Sequence, residues 1–314
     1  MGDPDKFVEL AKEDEVDKIK LFFSEKPGFF QFSDQMGQTV LHYAAGIGAA
    51  KTTDWLLGQP NTPIEAIDTN NRTPFHIAIL NGHISVVNVL LHNEKVDLHA
   101  HDHEGFTALH LATRAGNFEV CQQLVQSETT DINARDYEGK TALHHAVSLN
   151  HLGIAELLIT KSQIKTDTRD DCGETAFDEV AKSGTPQMCD IFINDRKACT
   201  VGLHDGSTHI HKASHNGNIE FLWKFVCPRN EDFYAVDYNG RTPLDEAFLM
   251  KKDKVLDLFV QIYVMDGKYK ECSDLCKEYD DFVRAQLCLE LVKEPETYAW
   301  KYERNGVCFG YGMG

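Results

Sequence analysis

Adjacent pairs of apolar residues recur along this chain at a nearly fixed interval. They are Leu56-Leu57, Leu90-Leu91, Leu124-Val125, Leu158-Ile159, Phe192-Ile193, Phe225-Val226 and Phe259-Val260. Each pair follows a Thr by 17 and 18 residues, and those threonines are Thr39, Thr73, Thr107, Thr141, Thr175, Thr208 and Thr242. Their spacings are 34, 34, 34, 34, 33 and 34. Around each Thr the same phrase returns: Thr-Val-Leu-His-Tyr-Ala at 39, Thr-Pro-Phe-His-Ile-Ala at 73, Thr-Ala-Leu-His-Leu-Ala at 107, Thr-Ala-Leu-His-His-Ala at 141 and Thr-Pro-Leu-Asp-Glu-Ala at 242. A repeat of this length is one supersecondary unit that cannot bury its apolar face alone.

The residue types say what each unit contains. A Thr before an apolar-periodic stretch can cap a helix by accepting from its free N–H groups. Pro74 and Pro243 suit the first helical position, where no donor is needed. Nine residues after the Thr stand Gly48, Gly82, Gly116, Asn150, Gly184 and Gly217, which can end a first helix at positive φ; Lys251 breaks that pattern. The apolar pair then belongs to a second helix folded back on the first. A Gly stands two residues before each Thr except at Asn71, and the Asp-x-x-Gly phrase found before most of them suits a tight turn. The predicted unit is turn, helix, short loop, helix. A degenerate first copy, with Phe22-Phe23 as its pair, brings the number to about eight, ending near residue 265.

This phrase at this period resembles the ankyrin repeat. The resemblance implies an all-α solenoid of about eight helix-turn-helix units with short β-turn fingers. The expected domains are a degenerate N-terminal capping repeat over 1–33, seven repeats over 34–265, a C-terminal helical cap over 266–295, and a Gly-rich tail over 296–314 that is mobile or a truncation point. The weak sixth copy and the irregular stretch from Asp195 to Gly206 suggest a distorted loop, and a bend before copies six to eight. Lys268 to Val292 reads as a helix with an apolar face.

Composition narrows the functions. The chain has 314 residues, 49 acidic and 31 basic, for a net charge of −18 at pH 7. That balance argues against nucleic acid as a general partner and against docking on an anionic membrane. No apolar run reaches the roughly 18 residues of a membrane span, and the polar start is no signal peptide. Nine scattered cysteines read as the reduced thiols of a cytoplasmic or nuclear protein.

Candidate chemistry is sparse, and no catalytic motif or cofactor is indicated. The recurring His42, His76, His110, His144 and His211 read as repeat-linking hydrogen-bonders, because they recur at one structural position. His99, His101 and His103 are read as partner-contacting or solvated rather than metal-binding. Cys272 and Cys276 lie one helical turn apart with Cys288 further along; no fourth zinc ligand is obvious, and they read as buried free thiols. His204, His209, His211 and His215 are taken as family position and composition. Asn133, in Asp131-Ile-Asn133-Ala, matches a phrase whose Asn can be hydroxylated in the family, and is read as structural. Gly310-x-Gly312-x-Gly314 fits no nucleotide motif.

The resemblance also says which positions are free of structural duty: six, four, three and one before the Thr, and seven and eight after it. In the family these fingers and inner helices make a concave, partner-binding strip. Aromatic and Arg residues are the usual interface anchors. The expected partner-binding residues are therefore Arg72, His101, His103, Phe106, Arg114, Arg135, Tyr137, Lys140, Tyr238 and Arg241. They suit a partner protein with an acidic and apolar segment, met by a non-enzymatic adaptor, inhibitor or scaffold. The alternative is an effector or enzyme with its activity in or beyond residues 266–314. Oligomeric state is left open.

Overall fold

The computed structural model describes residues 3–127, 129–192, 206–226, 233–265 and 267–291. The fold is all-α, a repeat solenoid whose helices come in short antiparallel pairs. The chain divides into two compact units, residues 1–180 with 184–201, and residues 202–314 with 181–183.

In the first unit the pairs are α1 (Asp3–Lys12) with α2 (Val16–Glu25), α3 (Val40–Ile47) with α4 (Ala50–Leu57), and α5 (Pro74–Leu80) with α6 (Ile84–Leu91). They continue as α7 (Ala108–Arg114) with α8 (Phe118–Gln126), α9 (Ala142–Ser148) with α10 (Leu152–Ile159), and α11 (Ala176–Ser183) with α12 (Pro186–Phe192). In Leu56-Leu57, Leu124-Val125 and Leu158-Ile159 the first residue is the deeper and is fully buried, and Phe192 is fully buried as well. The N-terminal copy closes its end with an aromatic cluster, in which Phe7 and Phe29 pack around Phe22 and Phe23 stacks on Phe30 at 4.1 Å.

Every start signal works as the sequence suggests. Thr39, Thr73, Thr107, Thr141 and Thr175 all cap their helices through reciprocal capping boxes. In the His copies the ring supplies the returning bond. The Thr39 backbone N–H donates to His42 Nδ1 at 3.1 Å, and the same bond at His76, His110 and His144 measures 3.1–3.2 Å. A backbone N–H can only donate, so Nδ1 carries no proton and Nε2 does. Nε2 then donates to a carbonyl of the following copy: His42 to Arg72, His110 to Lys140, His144 to Glu174, and His76 to Ala100. One imidazole thus closes a helix end and ties two repeats together.

The turns before each Thr are built alike. Asp34, Asp68, Asp102, Asp136 and Asp170 each accept two backbone N–H groups, two and four residues on, at 2.8–2.9 Å. Successive turns are then joined by backbone bonds, from Thr69 to Met36, His103 to Asn70, Tyr137 to Glu104, and Asp171 to Glu138. A row of fingers follows from that ladder.

The second unit holds α13 (His209–Asn216), a short α14 (Ile219–Phe221) passing into a π turn (Leu222–Val226), α15 (Pro243–Leu249), α16 (Asp253–Met265), α17 (Tyr269–Glu278) and α18 (Phe282–Leu291). The His211 ring repeats the double bond, to Thr208 N–H and the Arg241 carbonyl. The expectation of one helix over Lys268 to Val292 is corrected. Asp280 takes φ 59° and the Asp281 N–H closes on the Cys276 carbonyl, so the segment is a helical hairpin of α17 and α18. Arg284 locks it to α16, meeting Asp281 just before its own helix and Asp253 and Asp257 on α16. Lys251 is a second correction: it holds φ 52°, so the left-handed residue is kept where the Gly is lost. Gly184 does the reverse, with φ −60°. The distorted loop expected at 195–205, His204 and the tail 296–314 lie outside the described residues. No described helix is long and apolar enough to cross a membrane.

Candidate interaction surface

The residues left free by the repeat come together on the finger and inner-helix side of each unit. Large apolar side chains stand in solvent there. In the first unit Met36, Ile67, Leu80, Tyr137 and Leu149 are 52%, 54%, 42%, 69% and 46% exposed. All five occupy the free positions read from the sequence, three to six before the Thr or seven to eight after it. In the second unit Val236, Tyr238, Leu249 and Met250 hold the same positions and are likewise exposed.

Tyr137 and Tyr238 share one geometry. Each follows the preceding copy's finger Gly so closely that a Cβ on Gly105 would stand 2.7 Å from the Tyr137 ring, and one on Gly206 would stand 2.6 Å from that of Tyr238. The glycine, already at φ near 80°, leaves room for the tyrosine to lie across it. Each ring is thereby held by one edge of the finger and offered to solvent by the rest.

Phe106 is the clear departure. It was expected as an exposed anchor, and it is 7% exposed. Its ring meets His145 edge-on at 5.4 Å, and the Arg114 guanidinium lies 4.6 Å from its centroid. Arg72, Lys140 and Arg241 occupy the same register and stay partly exposed, because a charged tip must reach water. A phenyl ring has no such tip and folds inward. Phe106 serves the surface by supporting Arg114, which is exposed above it.

The cations carry their own counterions. Arg72 pairs with the buried Asp68 carboxylate at 2.8 Å, Arg135 with Asp171 at 3.0 Å and Lys140 with Glu138 at 2.7 Å. Arg241 meets Glu246 at 2.9 Å, and His215 meets the other oxygen of that carboxylate at the same distance. Among the expected cations, Arg114 is held against a ring rather than a carboxylate.

The histidines of the third finger do not converge. His99, His101 and His103 are exposed, and His101 Nδ1 bonds the Gly105 carbonyl at 2.8 Å. Asn133 is structural as read: its amide donates to the Gln163 carbonyl and its oxygen accepts from Lys165 N–H. His145, unremarked in the sequence, donates to Asp136 at 2.7 Å. Burial holds its pKa below the ordinary range despite the Asp136 bond, so it acts as a neutral donor. The Asp136 carboxyl is itself held low: burial opposes ionisation, but the bonds from His145 and from two backbone N–H groups outweigh it. Cys272, Cys276 and Cys288 form the one group of three potential ligands that converges among the described residues.

A family model for ankyrin repeats matches residues 8–102 and 94–170. The chain belongs to the ankyrin repeat family. Among solved structures, it is similar to the ankyrin repeat domain of Bcl-3, described as a unique member of the IkappaB protein family. The two share 25% identity with a TM-score of 0.62, over 68% of this chain and 95% of that one. No curated protein matches the chain. Ankyrin repeats are protein–protein interaction modules, which agrees with the apolar side chains displayed at the free positions.

Proposed function

We propose that this ankyrin protein binds a partner protein through its finger and inner-helix surface and performs no chemistry of its own. The observation that carries the reading is the placement of the exposed Met36, Ile67, Leu80, Tyr137 and Leu149 at positions the repeat does not need. Burying what these side chains still expose contributes at most about 1.5–3 kcal/mol each, less the ordering cost of association. The partner segment is chiefly apolar. An acidic residue in it would find Arg114, since Arg72, Arg135 and Lys140 are already paired. The reading suits an adaptor, inhibitor or scaffold, and the abundance of unpaired thiols suits the cytoplasm or nucleus.

Site-specific photocrosslinking tests this. A photoreactive side chain at position 137 or 149 should trap a protein from the native cell. The same group at the exposed Glu119 on α8 should not. Equal adducts from both faces, or adducts from α8 alone, would sink the proposal.

A further inference from the structure

The hairpin of α17 and α18 sets its two arms in register about the turn at Asp280. Cys272 lies eight residues before that turn and Cys288 eight after it, so the antiparallel arms bring them face to face. Their sulfurs are 3.2 Å apart. Cys276 lies one turn along α17 from Cys272, on the same helix face. All three sulfurs fall within 4.8 Å of one another, and all three residues have no exposed surface.

We infer that Cys272, Cys276 and Cys288 form a three-sulfur site for a soft monovalent metal ion, Cu(I). Three sulfurs arranged around one ion at about 2.3 Å would stand about 4 Å apart. The three thiols already occupy that range, and rotation about their side-chain torsions covers the rest. Among the described residues no His, Cys or carboxylate joins them. That donor set decides the ion. Zinc prefers four ligands and completes a three-ligand site with water, and the full burial of this cluster shuts water out. Soft thiolates with no oxygen or nitrogen donor select Cu(I). Each Cu–S bond formed at a thiolate releases one thiol proton to solvent, with no change of oxidation state. With no exposed sulfur, the ion enters when the hairpin opens or as it folds.

Three thiols in a helical hairpin could instead be small apolar core residues, and the experiment separates the two. The full chain, reduced and kept anaerobic, is titrated with Cu(I) against bicinchoninate. The expected result is one tightly held equivalent, with three sulfur scatterers by X-ray absorption and a higher melting temperature. Cys276→Ser should weaken binding by at least about 100-fold, a loss no smaller than that from disrupting a ligand's support. Cys172→Ser, at an exposed thiol, should leave it unchanged. Circular dichroism checks that the Cys276→Ser chain is folded, and absorption on the unaltered protein needs no variant. Binding no tighter than in Cys276→Ser would overturn the inference. So would zinc held by four sulfurs, or a Cys272–Cys288 disulfide in protein purified without oxidant.

Discussion

A repeat constrains single residues by backbone as much as by side chain. Lys251 shows this best. It stands where the earlier copies carry Gly or Asn, and its φ of 52° is in the left-handed region that a lysine enters at a cost. The helix end demands that conformation whatever residue supplies it. Lys251→Gly should therefore raise stability by up to about 1 kcal/mol, read as a higher urea midpoint at unchanged slope. A neutral or destabilising result would mean that the lysine side chain makes up for its backbone. Gly105 is the opposite case. At φ 81°, with the Tyr137 nitrogen 2.6 Å from where a Cβ would stand, it tolerates no side chain. Gly105→Ala should destabilise by about 2 kcal/mol or more, since the left-handed cost and the clash add. Residue type alone was a poor guide at both Lys251 and Phe106. Sequence reveals which position a residue holds, but the side chain's own chemistry decides whether it reaches out or folds in.

At the scale of the helix pair, the linking histidine makes stability depend on pH. Burial drives His76 and His110 down to about 4, and holds His42 and His144 below their ordinary range. In the unfolded chain a histidine titrates near 6.5. The folded protein therefore holds these rings neutral, and their contribution is complete above about pH 6.5. It is lost as pH falls from there toward 4, because only the unfolded chain takes up the proton. Each of His76 and His110 should cost about 1.4 kcal/mol per pH unit across that window. Protonation also removes the Nδ1 acceptor that the Thr N–H requires. Urea unfolding at pH 7.5, 6.0 and 5.0 reads the slope. A variant with His110→Gln should lose one histidine's share of it, and an unchanged slope would refute the account. The sixth and eighth copies are exempt, because Asp178 and Asp245 take the Thr N–H and hydroxyl with a carboxylate. The helix pairs and their caps were legible because period and capping chemistry coincide. The α17–α18 hairpin was not, since no Gly marks its turn and Asp280 supplies the positive φ instead. Missing that turn also hid the meeting of Cys272 with Cys288, which depends on register across the hairpin rather than on spacing along one helix.

For the molecule as a whole, the distribution of charge matters more than its sum. A chain at −18 that displayed unpaired arginines would draw an acidic partner and hold it through screened, salt-sensitive attraction. The fingers are arranged differently. Arg72, Arg135 and Lys140 each end on a neighbouring carboxylate, so bringing an acidic segment to them means competing with a bond already made. What remains unsatisfied is apolar surface, with Arg114 beside it. Two consequences follow for a partner identified by crosslinking. Tyr137→Ala and Leu149→Ala should each weaken binding by about 10-fold or more and leave the melting temperature within a degree or two, because both side chains are exposed rather than part of the core. Affinity should change less than about threefold between 50 and 300 mM salt, since exposed pairs further apart than a Debye length contribute little. Arg114→Ala should account for most of whatever salt dependence there is. A steep loss of affinity with salt that persists in Arg114→Ala would show instead that the paired arginines exchange their carboxylates for the partner's. The acidic character first expected of that partner would then be the dominant one.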